Sequence, residues 1–270
     1  MIPAQVSVVI PAYNAARHLA ATLDSVLAQR GPALELLVVD DCSTDGTARL
    51  VAARAQRDDR VRYLCTPANC GGPAGPRNLG IANARASWIA LCDADDLWHP
   101  QKLQRQLATA ERDRADLVCT AVRDLDGDAT PTAIGLPAEV PPAERVTLGQ
   151  LLMKNQIATS SVLVRRDLVE SAGGFDVDRA LIAVEDYDLW LRLLERGDRL
   201  LRLPEPLVHY RRVPSSLSAR KLQMARKVLR VLSLHFERTG RRWLFPLAAP
   251  CLLATYAGYS IVLRVWRGRM

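Results

Sequence analysis

Alternation between short apolar runs and helix-period patterns constrains the first 115 residues more tightly than any other feature of the chain. Val6–Ile10 is rich in β-branched residues and ends at Pro11, and Leu34–Val39, Val61–Leu64 and Trp88–Cys92 are runs of the same kind. Continuous apolar runs of this length suit strands buried on both faces. Between them lie segments of the other period. Leu19, Leu23, Val26 and Leu27 recur at spacings of three and four until Gly31-Pro32 stops them. Ser43 to Thr47 supplies N-cap candidates for a helix carrying Ala48, Leu50, Val51 and Ala55. A loop rich in glycine and proline, Pro67 to Pro76, precedes a short helix over Asn78–Ala84, and Pro100 with Leu103 and Leu107 opens another. Strands alternating with helices predict an α/β fold, a mostly parallel sheet with helices on both faces.

The strand ends carry polar groups: Tyr13 after the first, Asp40 and Asp41 after the second, and Asp93, Asp95 and Asp96 after the fourth. Open α/β sheets bind ligands at that edge. In extended chain, residues two apart share a side, so Asp93 and Asp95 can face one point. Two carboxylates about 5 Å apart repel by roughly 3 kcal/mol at an effective dielectric near 20. A divalent cation turns that repulsion into attraction, and oxygen-only ligands favour Mg²⁺ or Mn²⁺ over zinc. The alternative is an Asp-rich turn before the next helix, and for Asp40 and Asp41 likewise turn formation and helix capping. No GxGxxG follows the first strand and no GxxxxGK[ST] occurs anywhere, which argues against dinucleotide-cofactor and P-loop families.

Further along, residues 116–123 and 160–164 read as strands, Arg166 opens a helix, and Asp124–Glu144, with four prolines, reads as a long surface loop of the kind that covers or selects substrates. Tyr187, Trp190, Leu191 and Leu194 form one apolar stripe, and Asp188 can pair with Arg192 at i,i+4. Glu185 and Asp186 stand at that helix's N-terminus, where the macrodipole favours acids in any protein. Leu200–Leu203 and Pro206–Arg211 are strand-like pieces. His209 in the second is a candidate ligand for a phosphate or metal, although a lone histidine among apolar residues is more often structural.

Six cysteines without a CxxC pair argue against a disulfide framework or zinc site and for a reducing cytosol. Met1–Gln5 shows no signal-peptide pattern. The net charge of +7 is unevenly spread: from Arg211 onward, thirteen Lys/Arg face one acid, Glu237. Such a basic tail points to a polyanionic neighbour.

In order, Val6 to Asn14 (VSVVIPAYN), Val38 to Thr47 (VVDDCSTDGT), Asn69 to Asn78 (NCGGPAGPRN), Asp93 to Asp96 (DADD), Gly173 to Asp176 (GGFD) and Glu185 to Trp190 (EDYDLW) resemble glycosyltransferase family 2 over roughly residues 5–212. The resemblance implies a GT-A fold and an inverting, metal-dependent transfer of a sugar from a nucleoside diphosphate donor, with UDP-sugar expected. It implies that Pro11, Ala12, Tyr13 and Asp40 line the base pocket, and that Asp93 lies near the ribose while Asp95, with Asp93, holds the metal on the diphosphate. It also implies that Arg77 touches phosphate and that Asp186 is the general base. A sugar-nucleotide nucleotidyltransferase is the other enzyme reading, but Pro11–Asn14 is not the Gly-rich, basic loop such enzymes use. A non-catalytic nucleotide-sugar-binding module is the third reading.

Domains are expected at 1–212 (catalytic) and 213–270 (a helical basic tail). In the tail, Leu222, Ala225, Leu229, Leu232 and Phe236 make an apolar stripe among basic residues, as on a helix lying on an anionic membrane surface. Trp243–Leu263 is 21 residues without a charge, long enough to cross a bilayer but interrupted by Pro246, Pro250 and Gly258, which leaves interfacial attachment, a span, and packing on the catalytic domain or a second subunit all open. The expected partners are a nucleotide-sugar, a glycan or lipid-linked acceptor and an anionic membrane surface, with no nucleic acid. The expected location is cytoplasmic, peripheral at the inner face of the cell membrane.

Overall fold

A computed structural model describes residues 4–212 and 221–250. Its strands are β1 (Val6–Ala12), β2 (Leu34–Asp40), β3 (Val61–Cys65), β4 (Trp88–Leu91), β5 (Leu97–Trp98), β6 (Leu117–Asp126), β7 (Glu144–Arg145), β8 (Leu163–Arg165) and β9 (Leu200–Arg212). Its helices are α1 (Ala16–Leu27), α2 (Thr47–Ala55), α3 (Ala74–Ala82), α4 (Lys102–Asp113), α5 (Leu148–Met153), α6 (Arg166–Ser171), α7 (Glu185–Glu195) and α8 (Lys221–Arg238).

One sheet runs β3-β2-β1-β4-β8-β6-β9-β5, with β7 on the flank of β9. The first four strands are parallel, as the alternation of strand and helix predicts. Side-chain parity then sorts the core into two layers. Val9, Val39, Ile89 and Leu91 face α3, α6, α7 and α8. Val8, Ile10, Leu36, Val38 and Ala90 face α1, α2 and α4. Gly80 makes the first layer close: a Cβ there would lie 2.4 Å from Val9 Cγ1, so α3 rests directly on β1.

Three features depart from the sequence reading. β8 is antiparallel and separates β4 from β6. The last two strand-like pieces are one strand, β9, whose pairing with β6 slips near Thr120–Val122, opposite Pro204 and Pro206. Prolines cannot donate to a ladder, and the irregularity falls where they stand. Finally, α8 is not a separate tail. Val228, Val231 and Leu232 are buried in the core that holds α7, and Phe236 is 9% exposed, so the domain boundary expected at 212 cuts through one packed unit. Leu232 and Phe236, two members of the stripe expected to face lipid, face protein, because periodicity alone does not distinguish the two.

Strand parity also explains Pro11. The Val9 carbonyl accepts from Cys92 N–H and the Ala12 carbonyl from Asp41 N–H, so Pro11 turns toward β4. β1 and β4 pair only as far as Val9–Leu91, and the donor a proline lacks falls where the two strands have parted. That parting opens the sheet's C-terminal edge. Among the described residues no helix is long and apolar enough to cross a membrane; residues 251–263 of the uncharged run lie outside them.

Candidate active site

The expected residues collect at this edge in two groups. On the β1–β2 side, Ala12 and Asp40 are register partners, Pro11 is half-buried and Tyr13 is 55% exposed. Asp40 is buried beneath them. One of its oxygens accepts from Ser43 N–H at 2.9 Å and the other from the Tyr63 hydroxyl at 2.9 Å. Burial, and then this carboxylate, hold the Tyr63 phenol well above its ordinary value. Asp41 is more fully engaged, accepting from Thr66 Oγ1 at 2.8 Å and from Cys70 N–H at 2.9 Å, which fastens the Gly/Pro-rich loop to the strand end.

On the β4 side, the turn after Leu91 carries three acids with different surroundings. Asp93 donates its N–H to Ser160 Oγ at 2.9 Å and accepts from Arg77 Nη2 at 2.8 Å. Asp96 is 1% exposed; one oxygen takes Arg211 N–H at 2.7 Å and the other has no partner among the described residues, and burial with the two neighbouring acids holds it well above the usual carboxylate range. Arg211 also donates Nε–H to the Asp95 carbonyl at 2.8 Å, which fixes the turn to β9. The half-buried Asp95 carboxylate accepts no hydrogen bond from another described residue. Burial, followed by the charge of Asp93, pushes it up to about 6.

The second acid group opens α7. Glu185 is buried and accepts from Arg77 Nη1 at 2.6 Å. Asp186 is half-buried, with the Thr159 hydroxyl donating to one oxygen at 2.6 Å and Tyr187 N–H to the other at 2.6 Å. Burial, then the charge of Glu185, push the Asp186 carboxyl up to about 7, against the opposing pull of Thr159 and Arg77.

Two short bridges join the groups. The Arg77 guanidinium spans Asp93 and Glu185. The 3-10 turn Thr159–Ser161 gives its Thr159 hydroxyl to Asp186 and receives Asp93 N–H on Ser160, while Trp98 Nε1 holds the Ser160 carbonyl at 2.9 Å. Acids 93 residues apart in sequence are thereby held in one site.

Two assignments change. Arg77, expected on donor phosphate, is 3% exposed with both terminal nitrogens on carboxylates and its ring-facing carbon 5.3 Å from the Phe175 centroid. It is a buried tie between acids. The three carboxylates around it outweigh the effect of burial and keep its charge. His209 does not join the acids either. It is 7% exposed and pairs across the sheet with Arg123 and Leu97; burial, then Arg123 and His99, hold its imidazole below the ordinary value. Strand alternation turns its neighbour Tyr210 to the acids instead. Burial, then Asp93, Asp96, Asp186 and Asp95, hold that phenol well above its usual range.

No local pattern marks Thr159, Ser160 or Arg211 as site residues. Alternation from His209 was the one available signal, for Tyr210. The long loop keeps contact with the site at its start, where the Gly127 carbonyl accepts from Arg211 and Asp128 pairs with Arg17. Further on it is fastened to α4, with Arg105 Nη2 on the Pro137 carbonyl at 2.6 Å.

Among the described residues, no group of three or more His, Cys, Asp or Glu side chains forms a closed metal cage. The edge offers Asp95, whose carboxylate is bonded by no other described residue, and Asp93, with one oxygen on Arg77. Two such donors fit a hard cation that takes its remaining ligands from water and phosphate, as Mg²⁺ does, and the repulsion that raises Asp95 is what a cation relieves.

The sequence and fold have counterparts. The model of the family described as Glycosyl transferase family 2 matches residues 7–168, and that of Glycosyl transferase family group 2 matches residues 88–267. TuaG of Bacillus subtilis, named for teichuronic acid biosynthesis, is 31% identical over 222 residues, covering 82% of this chain and 84% of its own. The UDP-Glc:alpha-D-GlcNAc-diphosphoundecaprenol beta-1,3-glucosyltransferase WfaP of Escherichia coli is 30% identical, covering 81% of each chain. The mannosyltransferase PcManGT of Pyrobaculum calidifontis, solved with GDP-Man and Mn²⁺, superposes with a TM-score of 0.67 over 96% of this chain and 74% of its own, at 20% identity.

Proposed function

The chain belongs to glycosyl transferase family 2 and is a glycosyltransferase with the GT-A fold, and from that footing we propose that it moves a sugar from a nucleoside diphosphate donor to a hydroxyl with inversion, using Asp186 as the base. One observation carries the reading: a carboxyl pushed up to about 7 is tied to the Asp93 turn through both Arg77–Glu185 and Thr159–Ser160.

In this reading the donor's base lies against Pro11, Ala12 and Tyr13 above Asp40, whose carboxylate has acceptor capacity beyond its two internal bonds. Asp93 approaches the ribose. Mg²⁺ or Mn²⁺ held by Asp95 and Asp93 would supply Lewis-acid stabilisation to the departing diphosphate. Asp186 takes the proton of the acceptor hydroxyl as that oxygen attacks the anomeric carbon from the side opposite the leaving group. A base whose pKa lies near the working pH combines a large ionised fraction with real proton affinity, a contribution of roughly 10²–10⁴ in rate. The Thr159 hydroxyl and Tyr187 N–H each hold one Asp186 oxygen, so the carboxylate is oriented before substrate arrives. Arg77 keeps Asp93 and Glu185 from moving apart.

The names of the relatives favour a UDP-sugar donor, a lipid-linked or growing glycan acceptor and a role in polysaccharide synthesis. Incubation with Mn²⁺ and a panel of nucleotide-sugars tests the chemistry, with released nucleoside diphosphate as the readout. Asp186→Asn should cut turnover by roughly 10²–10⁴ while donor still binds. Normal turnover by that variant would remove the base assignment.

A further inference from the structure

While α8 buries Val228, Val231, Leu232 and Phe236 against the domain, the turn that follows it leaves a pair of large apolar side chains exposed. Trp243 and Leu247 are each 70% exposed, the most exposed large apolar side chains among the described residues. They stand four apart in a segment that is helical from 242 to 250, so they share a side. Phe245, between them, turns in and packs on Phe236 with ring centroids 6.0 Å apart. Arg241 and Arg242 come immediately before and are exposed; the Arg242 side chain is 83% exposed, with only a 3.7 Å approach to Glu237. Arg226 and Arg230 are exposed along α8.

We propose that residues 241–247 are a docking surface for an anionic phospholipid bilayer, with Trp243 and Leu247 seated at the interface and Arg241 and Arg242 on headgroup phosphates. Charge selects this occupant. Arg241 and Arg242, with Arg226 and Arg230 on the preceding helix, are exposed and outnumber the one nearby acid, Glu237, and a cytoplasmic leaflet carries the opposite sign. An indole beside arginines suits the headgroup layer, where one end of each side chain is apolar and the other wet. The surface is also rigidly referenced to the active site. Lys227 Nζ donates to the Ile182 carbonyl at 2.6 Å, His235 meets Glu195 at 2.6 Å, and Arg238 binds Asp188 at 2.8 Å and Glu195 at 3.1 Å. Asp188 lies two residues beyond Asp186 on α7. A bilayer engaged at 241–247 would therefore sit at a set angle to the base, and an acceptor anchored in that bilayer would arrive in a repeatable orientation. This purpose rests on the transferase reading; the docking does not.

The test is co-sedimentation of the full chain with vesicles of phosphatidylcholine and phosphatidylglycerol at about 3:1, against phosphatidylcholine alone. The wild type should sediment with the anionic vesicles and not with the neutral ones. Arg241→Glu/Arg242→Glu and Trp243→Ser/Leu247→Ser should each weaken partition by more than about tenfold, since basic and apolar groups at an interface both contribute at that order. Thermal unfolding should be unchanged in both, as these side chains are exposed. Failure of the wild type to prefer anionic vesicles, or retention of binding within about twofold by either variant, would overturn the proposal. Lipid-free dimerisation lost in the Trp243/Leu247 variant would assign the face to a second copy and overturn it also. Donor turnover measured without vesicles is read separately, so a negative result here leaves the transfer chemistry standing.

Discussion

Two acid doublets stand at the same sheet edge and are treated in opposite ways. Asp40–Asp41 is satisfied by neutral donors: Ser43 N–H, the Tyr63 and Thr66 hydroxyls and Cys70 N–H. Among the described residues, Glu185–Asp186 has one guanidinium, one hydroxyl and one helical N–H between its two members, and Glu185 Oε2 is buried without a partner. Neutral donors that converge on a carboxylate make it a strut for a loop. Two acids buried side by side with too few donors leave one of them ready to take a proton near neutrality. Both doublets are adjacent carboxylates at one sheet edge, Asp-Asp closing β2 and Glu-Asp opening α7, and they differ most in the supply of donors.

Removing the charge from each doublet breaks the comparison most sharply. Asp186→Asn should lower transfer by roughly 10²–10⁴ with donor affinity held within a few-fold, by equilibrium binding and steady-state rates. Asp41→Asn should instead act on stability, by about 2 kcal/mol in denaturant unfolding, because an amide oxygen replaces a charged acceptor of buried bonds, and the folded fraction should turn over normally. If Asp41→Asn removed turnover and left stability intact, the two doublets would have exchanged roles.

Smaller changes sharpen it. Thr159→Val removes the 2.6 Å hydroxyl bond that favours ionised Asp186, so the acid limb of the rate profile should move to higher pH and kcat should fall by up to about tenfold. Exposed pairs set the lower bound. Arg17 and Asp128 have side chains 73% and 60% exposed, and Arg17→Ala should shift stability by less than about 1 kcal/mol.

What the sequence discloses follows from range. The four parallel strands, the Asp93–Asp95 turn and the Asp188–Arg192 pair are written in spacings of two to four residues, and the structure has each of them, Arg192 Nε meeting Asp188 at 2.8 Å. The antiparallel insertion of β8 depends on a strand of three residues, too short to carry a period. Arg77 was visible as a basic residue in a Gly/Pro loop, but its burial depends on Glu185, 108 residues away. His209 and Tyr210 are adjacent, and which of them faces the acids is decided by the register of β9 against β6, which no local pattern states. The stripe of α8 was legible as amphipathic, while its partner, the α7 core, was not.

The pH dependence of kcat/KM for sugar transfer, measured in wild type and in Glu185→Gln, bears most directly on the Asp186 assignment. Asp186 works ionised and is held at about 7, so the rate should climb as pH rises through about 7 and then level. Glu185 is the charge that, after burial, raises Asp186, so Glu185→Gln should carry that limb to lower pH. A profile flat from about pH 5 to 9, or a limb unmoved by Glu185→Gln, would contradict a base poised by its acidic neighbour.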